Sequence, residues 1–173
     1  MTQERFETIK ADFVNQYRPL LCEESMTDIE AAHDFHAFAD VLRKYMAYNT
    51  YRPFPDVEWV RKWFAKDKET LHEEHIYLDE MVVICEDINQ DKSPIDCLCV
   101  MLYGSCSGTA IFNRLCRHYL MLQDTSKLDI IASGRAIIRV KLKGDADIFV
   151  LYRDKTSIIK KRRYETANET KWV

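Results

Sequence analysis

Glycine and proline are scarce in this chain, with four of each in 173 residues. At an average usage of about 7%, a chain of this length carries roughly 12 glycines, so collagen-like repeats and glycine-rich linkers are excluded. No apolar run reaches the roughly 18 residues a membrane-spanning helix needs. Met1 to Lys10 is polar and lacks the apolar centre of a secretory signal, which leads to the expectation of a protein kept inside the cell. The six cysteines are then expected to be reduced thiols rather than three bridges. No excess of positive charge marks the whole chain as a polyanion binder, since the net charge is −3. What remains, 47% hydrophobic and 31% charged residues, is the composition of a globular protein with a substantial core.

Charge is unevenly spread. Residues 1–82 hold 10 basic against 17 acidic side chains, and residues 83–173 hold 15 against 11. The acidic half reads as helices. Phe6, Ile9, Phe13 and Tyr17 recur at spacings of three and four, one apolar stripe that must end near Pro19. Thr27 followed by Glu30 has the spacing of a capping box, so a second helix is expected to start there, with Ala31, Phe35, Phe38, Leu42 and Tyr45 as its stripe. Pro53 and Pro55 break it, and Asp56 is placed to cap a third helix burying Val57, Val60, Trp63 and Phe64. A weaker helical segment follows from Lys68 to His75, and then short β-type runs at Ile76–Leu78 and Val82–Cys85.

The basic half is a repeat of ten. From Ser93 the chain divides into SPIDCLCVML, YGSCSGTAIF, NRLCRHYLML, QDTSKLDIIA, SGRAIIRVKL, KGDADIFVLY and RDKTSIIKKR. The second column holds Pro94, Gly104, Arg114, Asp124, Gly134, Gly144 and Asp154, almost all turn formers. The fourth column is small, and the sixth, eighth and tenth are mainly apolar, which is strand periodicity with one face inward. Each decad is therefore a turn plus a strand, and self-similar units stacking on one another predict a solenoid with two or three decads per coil. An antiparallel meander or sandwich is the alternative. It is disfavoured by the small column and by the lack of two-residue Asn-Gly turns. The final decad replaces its eighth-column apolar residue with Lys160 and continues Lys161-Arg162-Arg163, a charged finish that discourages edge-to-edge growth.

Outward positions are not all polar. If alternate decads line opposite faces, one face carries Ile111, Ile131, Leu151 and Phe149. The other carries Met101 and Met121 before turning to Arg139, Lys141 and Lys161. An apolar ladder of the first kind needs a cover, expected from the N-terminal helices or from another subunit.

The stretches PDVEWVRKWF (Pro55–Phe64), IYLD (Ile76–Asp79) and LYGSCSGTAIF (Leu102–Phe112), followed by the decads, resemble small uncharacterised proteins of Bacteroidales phages, prophages and mobile elements. The resemblance spans roughly residues 40–160. It implies a helical leader ahead of stacked short strands, and a setting in the host cytoplasm or the virion. It implies no catalytic residues.

Candidate chemistry is sparse. His33/His36 and His72/His75 are pairs three apart, a spacing that shares a helix face and suits two metal ligands, with Glu73 and Glu74 beside the second pair. Neither matches the zinc-protease pattern, and solvated helix faces explain both. Cys97 and Cys99 share an outward strand face, whereas Cys106, Cys116 and His118 fall at inward positions as packing residues. Gly104-Ser105-Cys106-Ser107-Gly108 lacks the Lys-Ser/Thr ending of a phosphate loop and fits a tight turn. Lys160, Lys161, Arg162 and Arg163 are the candidate nucleic-acid contacts, with a charged cap as the simpler explanation.

The sequence thus predicts an α+β protein: a helical unit over residues 1–82, a short β-solenoid over 83–163 and a polar tail over 164–173. A solenoid offers a ladder of side chains rather than a cleft, so the expected function is a non-enzymatic interaction or structural role. It would be exercised through Ile111, Ile131, Phe149 and Leu151 toward a protein partner or a second copy, without membrane or cofactor. A metal-dependent activity at His72 and His75, or nucleic-acid binding through the basic end, is the alternative.

Overall fold

The architecture follows from two periodicities that meet at residue 76. A computed structural model describes residues 1–47, 55–85, 98–164 and 170–172. Helices α1 (Gln3–Tyr17), α2 (Glu23–Ala31), α3 (Phe35–Ala47), α4 (Val57–Phe64) and α5 (Lys68–His72) come first. The strands β1 (Ile76–Leu78), β2 (Met81–Cys85), β3 (Cys99–Tyr103), β4 (Ser107–Phe112) and β5 (Arg117–Asp124) follow. The chain continues through β6 (Lys127–Ala132), β7 (Ile137–Gly144), β8 (Asp147–Arg153), β9 (Ile158–Tyr164) and β10 (Thr170–Trp172).

Odd strands pair only with odd strands, in the order β1-β3-β5-β7-β9-β10, and even strands with even ones, β2-β4-β6-β8. All pairs are parallel except β9 with β10. This is a β-solenoid with two strands per coil, and Tyr119 lies beside Cys99 and Arg139 beside Tyr119, twenty residues per coil. The decad therefore has its structural meaning: one decad is half a coil. The stack begins earlier than the repeat, because β1 and β2 form its first coil by pairing with β3 and β4. The 82/83 division drawn from the sequence falls inside β2.

The inward columns form the core between the two sheets. Val100, Leu120, Ile130, Val140, Leu102, Phe112, Leu122 and Leu142 are all buried there. The small column turns the corners, with Cys106, Ser126, Ala136 and Ala146 at 0–1% exposure. Left-handed backbone occurs at second-column turn positions Gly104 (φ 74°), Asp124 (φ 62°), Gly134 (φ 64°) and Gly144 (φ 71°), but not at Asp154.

The helices form a layer on the outer face of the odd-strand sheet. Phe6, Ile9, Phe13, Phe38, Trp59 and Phe64 make one apolar cluster with Ile76, Leu78, Met101, Tyr103 and Met121. The expected stripe of α1 is buried in full. Two details differ from expectation. The helix assigned to Thr27 starts at Glu23, because the Cys22 sulfur accepts from Ser25 N. Thr27 instead donates to Glu23 O within the helix. The stripe from Phe35 onward belongs to a separate helix, α3, entered where Asp34 accepts from Ala37 N at 2.8 Å. In α4, Asp56 caps as expected, and Trp59 rather than Trp63 is the fully buried tryptophan.

The helices cover the methionine face, Met101 and Met121, and not the face carrying Ile111, Ile131, Phe149 and Leu151. Of the two covers expected for the isoleucine ladder, the helices or another subunit, the helices are therefore ruled out. The chain turns back from α5 into β1, and β1 belongs to the odd-strand sheet, so the adjoining layer falls on that sheet.

Candidate interaction surface

The outer face of the even-strand sheet is built from alternating positions of β2, β4, β6 and β8. Register places Val83, Thr109, Asp129 and Phe149 in one row and Cys85, Ile111, Ile131 and Tyr152 in the next. Ile111 and Ile131 are register partners on neighbouring strands, and both are half-buried. Leu151 does not continue their row. Val150 lies opposite Ile130 and Tyr152 opposite Ile131, so Leu151 is an extra residue in a bulge. A bulge adds one residue to one strand and shifts everything after it. That shift exchanges inward and outward positions in β9. Ile159, not Ile158, pairs with Ile138 and faces the core, and Lys161 stands beside Val140 where the decad count places Lys160.

This face and its C-terminal edge hold much of the protein's exposed apolar surface. Phe149 is 66% exposed, Leu151 52% and Tyr152 55%, while Met81 and Val83 stand open at the other edge. Val150 is more telling. Its inward column neighbours Ala110 and Ile130 are at 0%, but Val150 is 41% exposed because no strand follows β8 in its sheet among the described residues.

The charged cap covers only one end of β8. Arg163 Nη2 and Lys161 Nζ lie 3.5 and 3.7 Å from Asp147 Oδ1. Arg163 also donates to Gly144 O at 2.7 Å. Asp147 Oδ1 accepts from Ile148 N at 2.9 Å, which occupies one edge amide. Beyond it, Val150, Leu151 and Tyr152 are exposed.

The four basic candidates do not form one patch. Lys161 and Arg163 point toward Asp147, while Lys160 and Arg162 lie on the opposite face beside Arg139 and Lys141. Alternation along a strand divides them. His72 Nε2 sits 2.9 Å from Glu80 Oε1, and His75 occupies the left-handed turn into β1 (φ 54°). Among the described residues no three His, Cys, Asp or Glu side chains converge to hold a metal. His36 bonds Glu74, which also accepts from Arg43 at 2.6 Å, a network joining α3 to the start of the solenoid. The hydrogen bond to Glu74 raises the His36 pKa. Cys106 is buried, with its thiol pushed up by burial, and Cys97 lies outside the described residues. His118 is buried with its ring 4.6 Å from that of Phe112.

The Gly104–Gly108 turn is occupied by the protein's own carboxylate. Asp79 accepts from Ser105 N at 2.8 Å and from Arg61 Nε and Nη2 at 2.8 and 2.7 Å. A Cβ on Gly104 would lie 2.0 Å from Asp79 Oδ1, so glycine is required for this approach. Arg61 belongs to α4 and also reaches Asp124, so it fastens the helix layer to successive turns of the stack. The Arg61 guanidinium and the Ser105 amide hold the Asp79 carboxyl well below the usual carboxylate range. A depressed acid contributes stability above its unfolded pKa, near 3.9, and loses it as pH falls through the folded value. Asp79→Asn is expected to cost about 1–2 kcal/mol at neutral pH, with the deficit shrinking below about pH 4. Urea titrations of both proteins at pH 7 and pH 3 check this.

No family model matches the chain, and no curated protein or solved structure shows a significant match to it, so the reading of this surface rests on its own geometry.

Proposed function

We propose that this is a non-enzymatic interaction protein whose helix layer braces the solenoid while the even-strand sheet meets a partner. The carrying observation is the exposure of Phe149 and Tyr152 on the sheet face the helices leave open, with Leu151 exposed in the bulge between them. Contiguous exposed apolar surface of this kind marks binding surfaces. The helix-side depression lined by Arg5, Arg61, Lys62, Trp63 and Asp67 favours no competing reading, since its arginines and Lys62 are each paired with carboxylates. The resemblance to proteins of phages and mobile elements supports a role in a host cytoplasm or a virion.

The double variant Ile131→Asp, Leu151→Asp tests this reading. Both positions are at least partly open, so the variant is expected to keep its far-ultraviolet circular dichroism. Wild-type protein in extract of its own expressing cells is expected to sediment as a complex heavier than the 20.5 kDa chain, and the variant at the mass of the chain. A folded variant that sediments with wild type in every fraction ends the proposal.

A further inference from the structure

We infer that the C-terminal end of the solenoid is a slot for one extended acidic strand donated by another protein, which would add to β8 as a fifth strand of its sheet. This rests on the interaction reading above and names the partner's chemistry.

The slot is a consequence of unequal sheets. The odd-strand sheet continues past β8 through β9 and β10, while the even-strand sheet stops. Among the described residues, half a coil is therefore missing opposite β9, a gap the width of one strand, roughly 4.8 Å. Its floor is the edge of β8, where the exposed inward Val150 marks the uncovered core. Its wall is the inner side of β9, which presents Ile159, then Lys161 and Arg163. Asp147 already occupies the Ile148 amide, so an incoming strand finds its ladder from Val150 onward. Strand addition of this type draws affinity from main-chain bonds and specificity from alternate side chains.

Charge selects the occupant. Residues 147–163 hold six basic and two acidic side chains in a chain whose net charge is −3. One of the two acids, Asp154, is committed to its own turn, accepting from Thr156 N, Ser157 N and Gly134 N. The other, Asp147, lies under Lys161 and Arg163. Arg153 and Lys155 stand exposed at the far end of β8. A guest strand with apolar residues at alternate positions and carboxylates toward its ends matches both features.

A second copy does not fit the slot. Antiparallel pairing of two β8 edges imposes a two-fold axis normal to the joined sheet. Both overhanging β9–β10 pairs then lie on the same side and claim the same volume.

The experiment uses full-length protein and a fluorescein-labelled synthetic peptide with alternating valine and threonine and a glutamate pair at each end. Fluorescence anisotropy is expected to show saturable binding. Affinity should fall at least tenfold for the same peptide with lysines in place of glutamates, and at least tenfold for Val150→Asp. Lys161→Glu, Arg163→Glu should invert the preference toward the lysine peptide, which decides the matter even if Val150→Asp fails to fold. Ile131→Asp, which alters the open face in β6 and leaves the β8 edge unchanged, should lose complex formation while keeping peptide binding, so the two readings fail separately. The slot is overturned if wild type binds no peptide, if Val150→Asp or the charge reversal leaves binding unchanged, or if sedimentation shows a wild-type dimer that Val150→Asp abolishes.

Discussion

Phe13→Ala is expected to remove about 3–5 kcal/mol of stability, the range for truncating a fully buried phenylalanine. Phe13 has no exposed surface, and its ring centroid lies 4.8 Å from Tyr17, 5.0 Å from Phe38 and 5.4 Å from Trp59. These neighbours come from α1, α3 and α4, so the cavity opens where three helices meet and no single side chain can move to fill it. The same cluster includes Met101, Met121 and Tyr103 of the odd-strand sheet. Loosening the helices therefore wets the solenoid's outer face, and the loss is felt by the whole chain. Domains of this size hold about 5–15 kcal/mol in total, so the variant sits near the edge of folding. Urea unfolding followed by tryptophan fluorescence and by circular dichroism is expected to show an earlier midpoint at unchanged slope in both signals. A shift worth less than about 1 kcal/mol would refute the shared core. A lowered slope with the β-sheet signal retained would show instead that the solenoid stands without its helices.

The repeat was legible because a solenoid writes its geometry into the chain at a fixed period: small residues at corners, turn formers between strands and apolar residues at alternate positions. Cys106, Ala136 and Ala146 turn corners because a larger side chain would not fit between the sheets there. The same count left two or three decads per coil open, and the pairing of Tyr119 with Cys99 and Arg139 fixes two. The first coil escaped the period because residues 86–97, which lie outside the described structure, separate β2 from β3 and break the spacing of ten. The bulge escaped it too. One added residue at Leu151 leaves the composition of the last decad intact while exchanging its faces, and only pairing with Ile130 and Ile131 reveals it. Which face the helices cover depends on the sheet that β1 joins. Three residues, Ile76 to Leu78, carry no period from which to read that choice. The pairing of Ile111 with Ile131 was therefore legible in the sequence, while the place of Leu151, the exposure of the face, the slot behind Val150 and the division of the basic run were not.

Lys141→Met is expected to stabilise the protein at neutral pH. Register places Ile76, Met101, Met121, Lys141 and Arg162 in one row across the odd-strand sheet, so the cation stands where the second and third coils carry methionine. Lys141 is 8% exposed, with its Nζ 6.0 Å from the Tyr164 ring centroid. Burial, with the Arg162 charge adding to it, lowers its pKa to about 8. In the unfolded chain the value is near 10.4. Between those two values the unfolded chain holds a proton that the folded chain has released, so stability rises with pH across that window. Below about pH 8 the folded protein carries the net cost of holding that proton, on the order of 2–3 kcal/mol from the size of the shift. Methionine has similar length and no charge to bury. The variant should therefore gain about 2–3 kcal/mol at pH 7, and its advantage should vanish near pH 10.5. Urea midpoints for both proteins at pH 7, 9 and 10.5 measure this. A wild type whose stability is flat across that range, or a variant no more stable at pH 7, would show that the cation is compensated where it lies. The substitution is remote from β8, so peptide binding in the slot should be unchanged, and any loss would tie the two faces of β9 together through Arg162 and its neighbours Lys161 and Arg163.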